Sequence, residues 1–134
     1  MFVVGQEYRR RELHARYGGQ EQGGISTPSQ HPFIFLFATP NGEKHGYFDG
    51  PKPNGQYLFT GEGQRGDMEF LRGNRAIQNH QEDRKALYLF EQNRTGYVRF
   101  FGEMRVISHY FKKGPDTDGR MRDVIVFVLD RVKQ

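Results

Sequence analysis

The sequence predicts an α+β chain dominated by strands: a twisted β-barrel with two short flanking helices, one domain across residues 1–134. Three observations lead there. At least five short segments rich in aromatic and β-branched residues read as strands: PFIFLFAT, QYLFT, ALYLFE, GYVRFFGEMRVISHYF and DVIVFVLD. Tight-turn signals, Asn54-Gly55 and Asp116 to Gly119 among them, join neighbouring strands as hairpins. Only two stretches suit a helix, too few for the crossovers of a doubly wound sheet.

Taken in order, residues 6 to 17 (QEYRRRELHARY) read as a helix stopped by Gly18-Gly19, which supply a left-handed C-terminal conformation. A polar loop runs to Pro32. The continuous apolar run PFIFLFAT predicts a strand buried on both faces. Thr39 to Gly42 turns the chain, HGYFD extends it, and PKPNG turns it into QYLFT. Between Glu69 and Lys85 a helix is expected over the second half (NRAIQNHQEDRK), with Gly73 interrupting its start. The remaining strands follow, the last two joined by DTDG.

Composition narrows the function classes. The chain has 134 residues, enough for a core unaided by metal or disulfide, and 12 Phe and 7 Tyr supply that core at few positions. Cysteine is absent, which removes thiolate metal sites and fits a reducing compartment. No apolar run nears the ~20 residues that cross a bilayer, so a cytoplasmic protein with no membrane partner is expected. Net charge is +4, with arginine predominating over lysine. Ordinary solubility explains such a balance, and so does a polyanionic partner matched by arginine forks.

Catalytic constellations fail one by one. The five histidines lack metal-ligand spacing, no Gly-x-Ser-x-Gly occurs, and Asp116 to Gly119 is only a fragment of a calcium loop. A formal G-x-G-x-x-G spans Gly61 to Gly66, the best case for a dinucleotide-binding enzyme. Glu62 would set a carboxylate against the pyrophosphate, and hairpins stand where crossovers are needed. No cofactor and no catalytic residue is expected.

Six fragments taken together carry more. VGQEYRRR (Val4 to Arg11), GGIST (Gly23 to Thr27), GYFDG (Gly46 to Gly50), NGQYLFTGEGQ (Asn54 to Gln64), GDM and GNRAI (Gly73 to Ile77) resemble, in order and spacing, the SRA (SET- and RING-associated, YDG) domain. The resemblance is strongest to SRA-like modules of bacterial modification-dependent HNH restriction endonucleases. It implies a PUA-like twisted barrel that binds double-stranded DNA containing modified cytosine, most simply 5-methylcytosine, by flipping the base into a pocket. It implies recognition without chemistry, with a nuclease domain possible in the full-length chain.

Residue by residue, the resemblance puts the family's first stacking tyrosine at Tyr47, beside Gly46, and its second at Phe59, followed by Thr60. The cytosine-reading acid falls on Asp49, although strict spacing reaches Gly50. Phe59 lacks the family's hydroxyl, and of the long insertion many relatives carry before GNRAI only Glu69 to Arg72 remains. Two aromatic faces would replace the stacking a flipped base gives up, at ~1–3 kcal/mol per base. A carboxylate accepts from the cytosine N4 amino group and repels thymine O4. Backbone contacts are expected from Gly61, Gly63, Gly66 and Gln64, and from Ser26, Thr27, Lys52, Arg65, Arg72 and Arg75. The same residues also suit core aromatics, turn glycines and solvated charges. A PUA-like RNA- or protein-binding module remains the alternative.

Overall fold

A computed structural model describes residues 2–40 and 48–132. Along the chain come β1 (Glu7–Arg9), α1 (Arg10–Tyr17), β2 (Ile25–Ser26), β3 (Phe33–Ala38), β4 (Gly50–Pro51) and β5 (Tyr57–Thr60). After these follow α2 (Arg72–Gln78), β6 (Ala86–Arg94), β7 (Tyr97–Pro115) and β8 (Met121–Arg131). The strands form one sheet in the order β2-β3-β6-β7-β8-β5-β4, with β1 added to β7. Every pairing is antiparallel except β3 with β6.

The mainly β architecture with two helices agrees with the sequence. The sheet stops short of a closed barrel: no ladder joins β2 to β4 among the described residues. It nevertheless curls far enough that a Cβ on Gly24, just ahead of β2, would stand 3.6 Å from Phe59 Cζ in β5. An open seam between the two edges results.

The apolar run of β3 is buried throughout, as its composition requires. Strand alternation divides it between two clusters. Ile34, Leu36 and Ala38 face the concave core with Tyr57, Phe59, Ile77, Leu89, Ile125 and Phe127. Phe33, Phe35 and Phe37 face an aromatic cluster with Leu13, Phe90 and Phe100. Burying each phenylalanine contributes ~1.5–3 kcal/mol, which fastens α1 to the convex side.

Both helices differ in extent from their sequence reading. The first begins at Arg10, because residues 7–9 are drawn into pairing with β7, with Tyr8 opposite Val98. Its end at Gly18 holds, the Gly18 N–H returning to His14 O at 2.8 Å. The second begins at Arg72 and ends at Gln78, not Lys85. Gly73 belongs inside it: a Cβ there would lie 2.6 Å from Glu62 Oε2 and 2.9 Å from Ile25 Cγ2. Beyond Gln78 the chain turns, and Arg84 takes a left-handed φ of 56°. His80 holds that turn, bonding Lys85 O through Nδ1 at 2.8 Å and accepting the Val106 N–H on Nε2 at 3.1 Å.

Candidate functional site

The open seam is occupied by a cleft of about 530 Å³. Gly23, Gly24, Phe37 and Thr39 line one side; Asp49, Phe59, Thr60 and the loop from Gly61 to Gln64 line the other. Pro115, Asp116 and Thr117 close one end from the β7–β8 hairpin tip. The site therefore exists because the sheet does not close.

Asp49 sits just before β4 with its Oδ1 accepting the Thr60 N–H at 2.7 Å. That bond locks the carboxylate across the β4–β5 hairpin. Burial pushes its pKa above the ordinary aspartate value, opposed by the Thr60 hydrogen bonding and by the nearby Lys112 charge. The Thr60 hydroxyl is buried and makes no hydrogen bond of normal geometry among the described residues. The half-buried Asp49 carboxylate is thus the acceptor that this part of the cleft holds for a ligand with donor groups.

Phe59 lines the cleft but belongs to the core, with only 2% of its surface exposed. Its Cζ end lies beneath Gly24. Gly46 and Tyr47 lie outside the described residues. Phe48, between them and Asp49, is exposed, and its ring covers Gly50, where a Cβ would meet Cζ at 2.8 Å.

The loop after β5 is held from two directions. Asn74 of α2 is buried; its Oδ1 accepts the Glu62 N–H at 2.8 Å, and its Nδ2 donates to Glu62 O at 2.8 Å and Glu69 O at 2.9 Å. Glu62 returns the contact, Oε2 accepting the Gly73 N–H at 3.0 Å. Gly61 is required here by proximity, since a Cβ would stand 2.7 Å from Asn74 Oδ1. From the other side, Gln64 O accepts both the N–H and the hydroxyl of Thr117 at 2.9 Å. Buried Asp116 accepts the Gly66 N–H at 3.1 Å, and buried Arg122 donates to Gly66 O at 2.8 Å. The Gly66 N–H, first among several backbone donors, holds the Asp116 carboxyl below the usual range.

This construction removes the dinucleotide reading. The chain from Gly61 to Gly66 does not open a helix, and the Glu62 carboxylate is turned onto α2. Among the described residues no cluster of three metal-ligating side chains occurs, and no helix is long and apolar enough to cross a membrane.

Of the other expected contacts, Gly63 and Gln64 line the cleft. Arg65 and Arg72 border its continuation past Gly24 toward Leu71, and Arg65 is also ion-paired with Asp118 at 3.4 Å. Arg75 is exposed on α2, and Lys52 is exposed in the β4–β5 turn. Thr27 is tied to Gln20, whose Oε1 accepts its N–H at 2.7 Å. Ser26 is a correction: it is wholly buried with its hydroxyl against Gly19, so it presents nothing to a phosphate.

Several site residues escaped the sequence reading. Phe37 was legible only as core, and Asp116 only as a turn. Arg10 was hidden in a basic helix, yet its guanidinium lies 3.9 Å from the Phe37 ring centroid and donates to Gly23 O at 2.8 Å. It also donates to His14 Nε2 at 3.1 Å, and His14 Nδ1 in turn meets Gly18 O at 3.0 Å. Such a chain of contacts leaves no local sequence signature.

The curled sheet, the seam cleft and the two flanking helices are those of an SRA domain. More particularly, the chain belongs to the ScoMcrA-like SRA domain family, whose model matches residues 4–134. Among solved structures, it superposes on the sulfur binding domain and SRA domain of ScoMcrA complexed with phosphorothioated DNA. The TM-score there is 0.79 at 24% identity, over 100% of this chain and 41% of that one. The structure of the Type IV phosphorothioation-dependent restriction endonuclease ScoMcrA matches equally, at TM-score 0.79 and 24% identity, with 29% of its chain covered. This chain therefore spans less than half the length of either. An SRA domain of SUVH5 in complex with hemi-methylated CG DNA matches at TM-score 0.69 and 21% identity, over 98% of this chain and 89% of that one. No curated protein matches the sequence.

Proposed function

We propose that this chain is a recognition module for double-stranded DNA containing modified cytosine, which it receives as a base turned out of the duplex into the seam cleft. One observation carries the reading. Asp49 is a carboxylate fixed by the Thr60 N–H inside a cleft of about 530 Å³, between the Phe59 side and Gly24. A cleft of that size, with few placed polar groups among apolar walls, has room for a nucleotide, base and sugar together. The carboxylate accepts from the N4 amino group of cytosine and disfavours the O4 of thymine. Tyr47, two residues ahead of Asp49, supplies the second ring, and Gly61, Gly63 and Gln64 supply backbone at the nucleotide.

The module does no chemistry itself; it directs a nuclease domain in a longer protein. Complexes of SRA-containing relatives with phosphorothioated and with hemi-methylated DNA favour a modified duplex as ligand. The test is a titration of matched duplexes bearing cytosine, 5-methylcytosine or a phosphorothioate linkage at one site, with a fluorescent base analogue at the modified position. Preference for 5-methylcytosine with brightening of the analogue is expected. Equal affinity for all three duplexes, or an unchanged signal at saturation, refutes the reading.

A further inference from the structure

The sequence singled out arginines after β5 as backbone contacts, but a second group of arginines lies elsewhere. At the β6–β7 hairpin tip, Arg94 stacks on Tyr97 at 3.7 Å from the ring centroid, and Arg9 stands over the same ring at 5.1 Å. Arg9, Arg11, Gly96 and Tyr97 line a surface hollow of about 250 Å³. Arg94 is partly compensated by Glu7, whose Oε1 lies 2.9 Å from its Nη2. Arg9 donates instead to the Tyr97 hydroxyl, and Glu12 is the other acid nearby.

Two observations put this hollow on the same rim as the cleft. Glu91 of β6 is level with Ala38 of β3, and Thr39 lines the cleft. Arg94 stands three residues further along β6, about 10 Å at the ~3.3 Å rise of a strand. Arg10 bridges the interval: its N–H donates to Gly96 O at 2.9 Å, while its side chain rests on Phe37 and Gly23 of the cleft wall. Successive phosphates of one DNA strand follow each other along such a rim, so a base in the cleft puts neighbouring backbone phosphates over the hollow.

We propose that Arg9 and Arg11, in the hollow beside Tyr97, form a phosphodiester-binding site that grips the duplex backbone beside the cleft; this rests on the cleft being the base site. The ligand chemistry is a diester within a duplex. Arg9 is oriented by its bond to Tyr97, which lowers the entropy lost on closing onto a phosphate.

The test is the salt dependence of binding, measured with the whole chain and a duplex long enough to cover the rim, in plain and 5-methylcytosine forms. Each neutralised phosphate contributes about 0.9 to the slope of log affinity against log salt. R9Q/R11Q should reduce the slope by about 1.8, equally for both duplexes, so that their affinity ratio is unchanged. R9K/R11K, which keeps the charges, should restore it. Should the double variant not fold, R11Q alone, at an exposed position, should lower the slope by about 0.9. An unchanged slope in the folded variant overturns the proposal. So does displacement of the plain duplex by inorganic phosphate beyond that by chloride at equal ionic strength, which would mark a free-phosphate site. If the wild-type chain does not prefer the modified duplex, the cleft reading fails while the plain-duplex slope still decides the rim.

Discussion

Replacing Asn74 with alanine removes three hydrogen bonds at once, those with Glu62 N–H, Glu62 O and Glu69 O. At about 1 kcal/mol each, the loss of stability is about 2–4 kcal/mol, the lower end applying where water reaches the orphaned carbonyls. For a domain of this size that lowers Tm by roughly 6–15 °C. The effect on binding is separate. Asn74 pins the cleft loop at Glu62, and re-ordering even one freed residue costs ~1–2 kcal/mol, a roughly five- to thirtyfold loss of DNA affinity. Asn74→Asp sharpens the test. It keeps an acceptor for the Glu62 N–H, loses both donations, and sets a second carboxylate beside Glu62. It should resemble the alanine variant at neutral pH and recover partly on acidification, as a protonated carboxyl regains one donor. Thermal melting and a binding titration on the same preparations decide the matter. A Tm within ~2 °C of wild type together with undiminished affinity would refute the latch.

Asp49→Asn should lose the preference for cytosine over thymine yet raise the stability of the free protein at neutral pH. The Asp49 pKa is raised above 3.8 by burial, so the folded state holds its proton longer and stability falls as pH rises through the folded value. Melting curves at pH 4 and pH 7 should converge for the variant; an unchanged pH profile would count against it. His80 carries the opposite sign: burial lowers its pKa below 6.5, so stability is lost on acidification, and His80→Gln should flatten the profile between pH 7 and pH 5. Phe59→Ala should cost about 3–5 kcal/mol because the ring is core. Phe59→Leu should keep most of that stability and still lose modification-dependent binding; full binding by the leucine variant would remove Phe59 from the recognition site.

What could be read along the chain was what local chemistry dictates. The unbroken apolar run from Phe33 to Ala38 reads as a strand covered on both sides, Gly18-Gly19 as the end of a helix, and Asn54-Gly55 and Asp116 to Gly119 as hairpin turns. The order of short motifs around Asp49 and Phe59 carried the family, because glycines and aromatics at set spacing survive translation into one dimension. Tertiary structure decided the rest. Residues 7–9 left a helical pattern for a strand because β7 offered an edge to pair with. Gly73 entered a helix it should interrupt because Glu62 occupies the space of its missing side chain. Ser26 went inward because the face of a two-residue strand is set by its neighbour and not by its own polarity. The cleft was illegible for the same reason. Its walls come from Gly24, Phe37, Asp49, Thr60 and Asp116, far apart in sequence and joined only where a curling sheet fails to close. No local pattern encodes that distance, because it depends on the twist accumulated over every strand between the two edges.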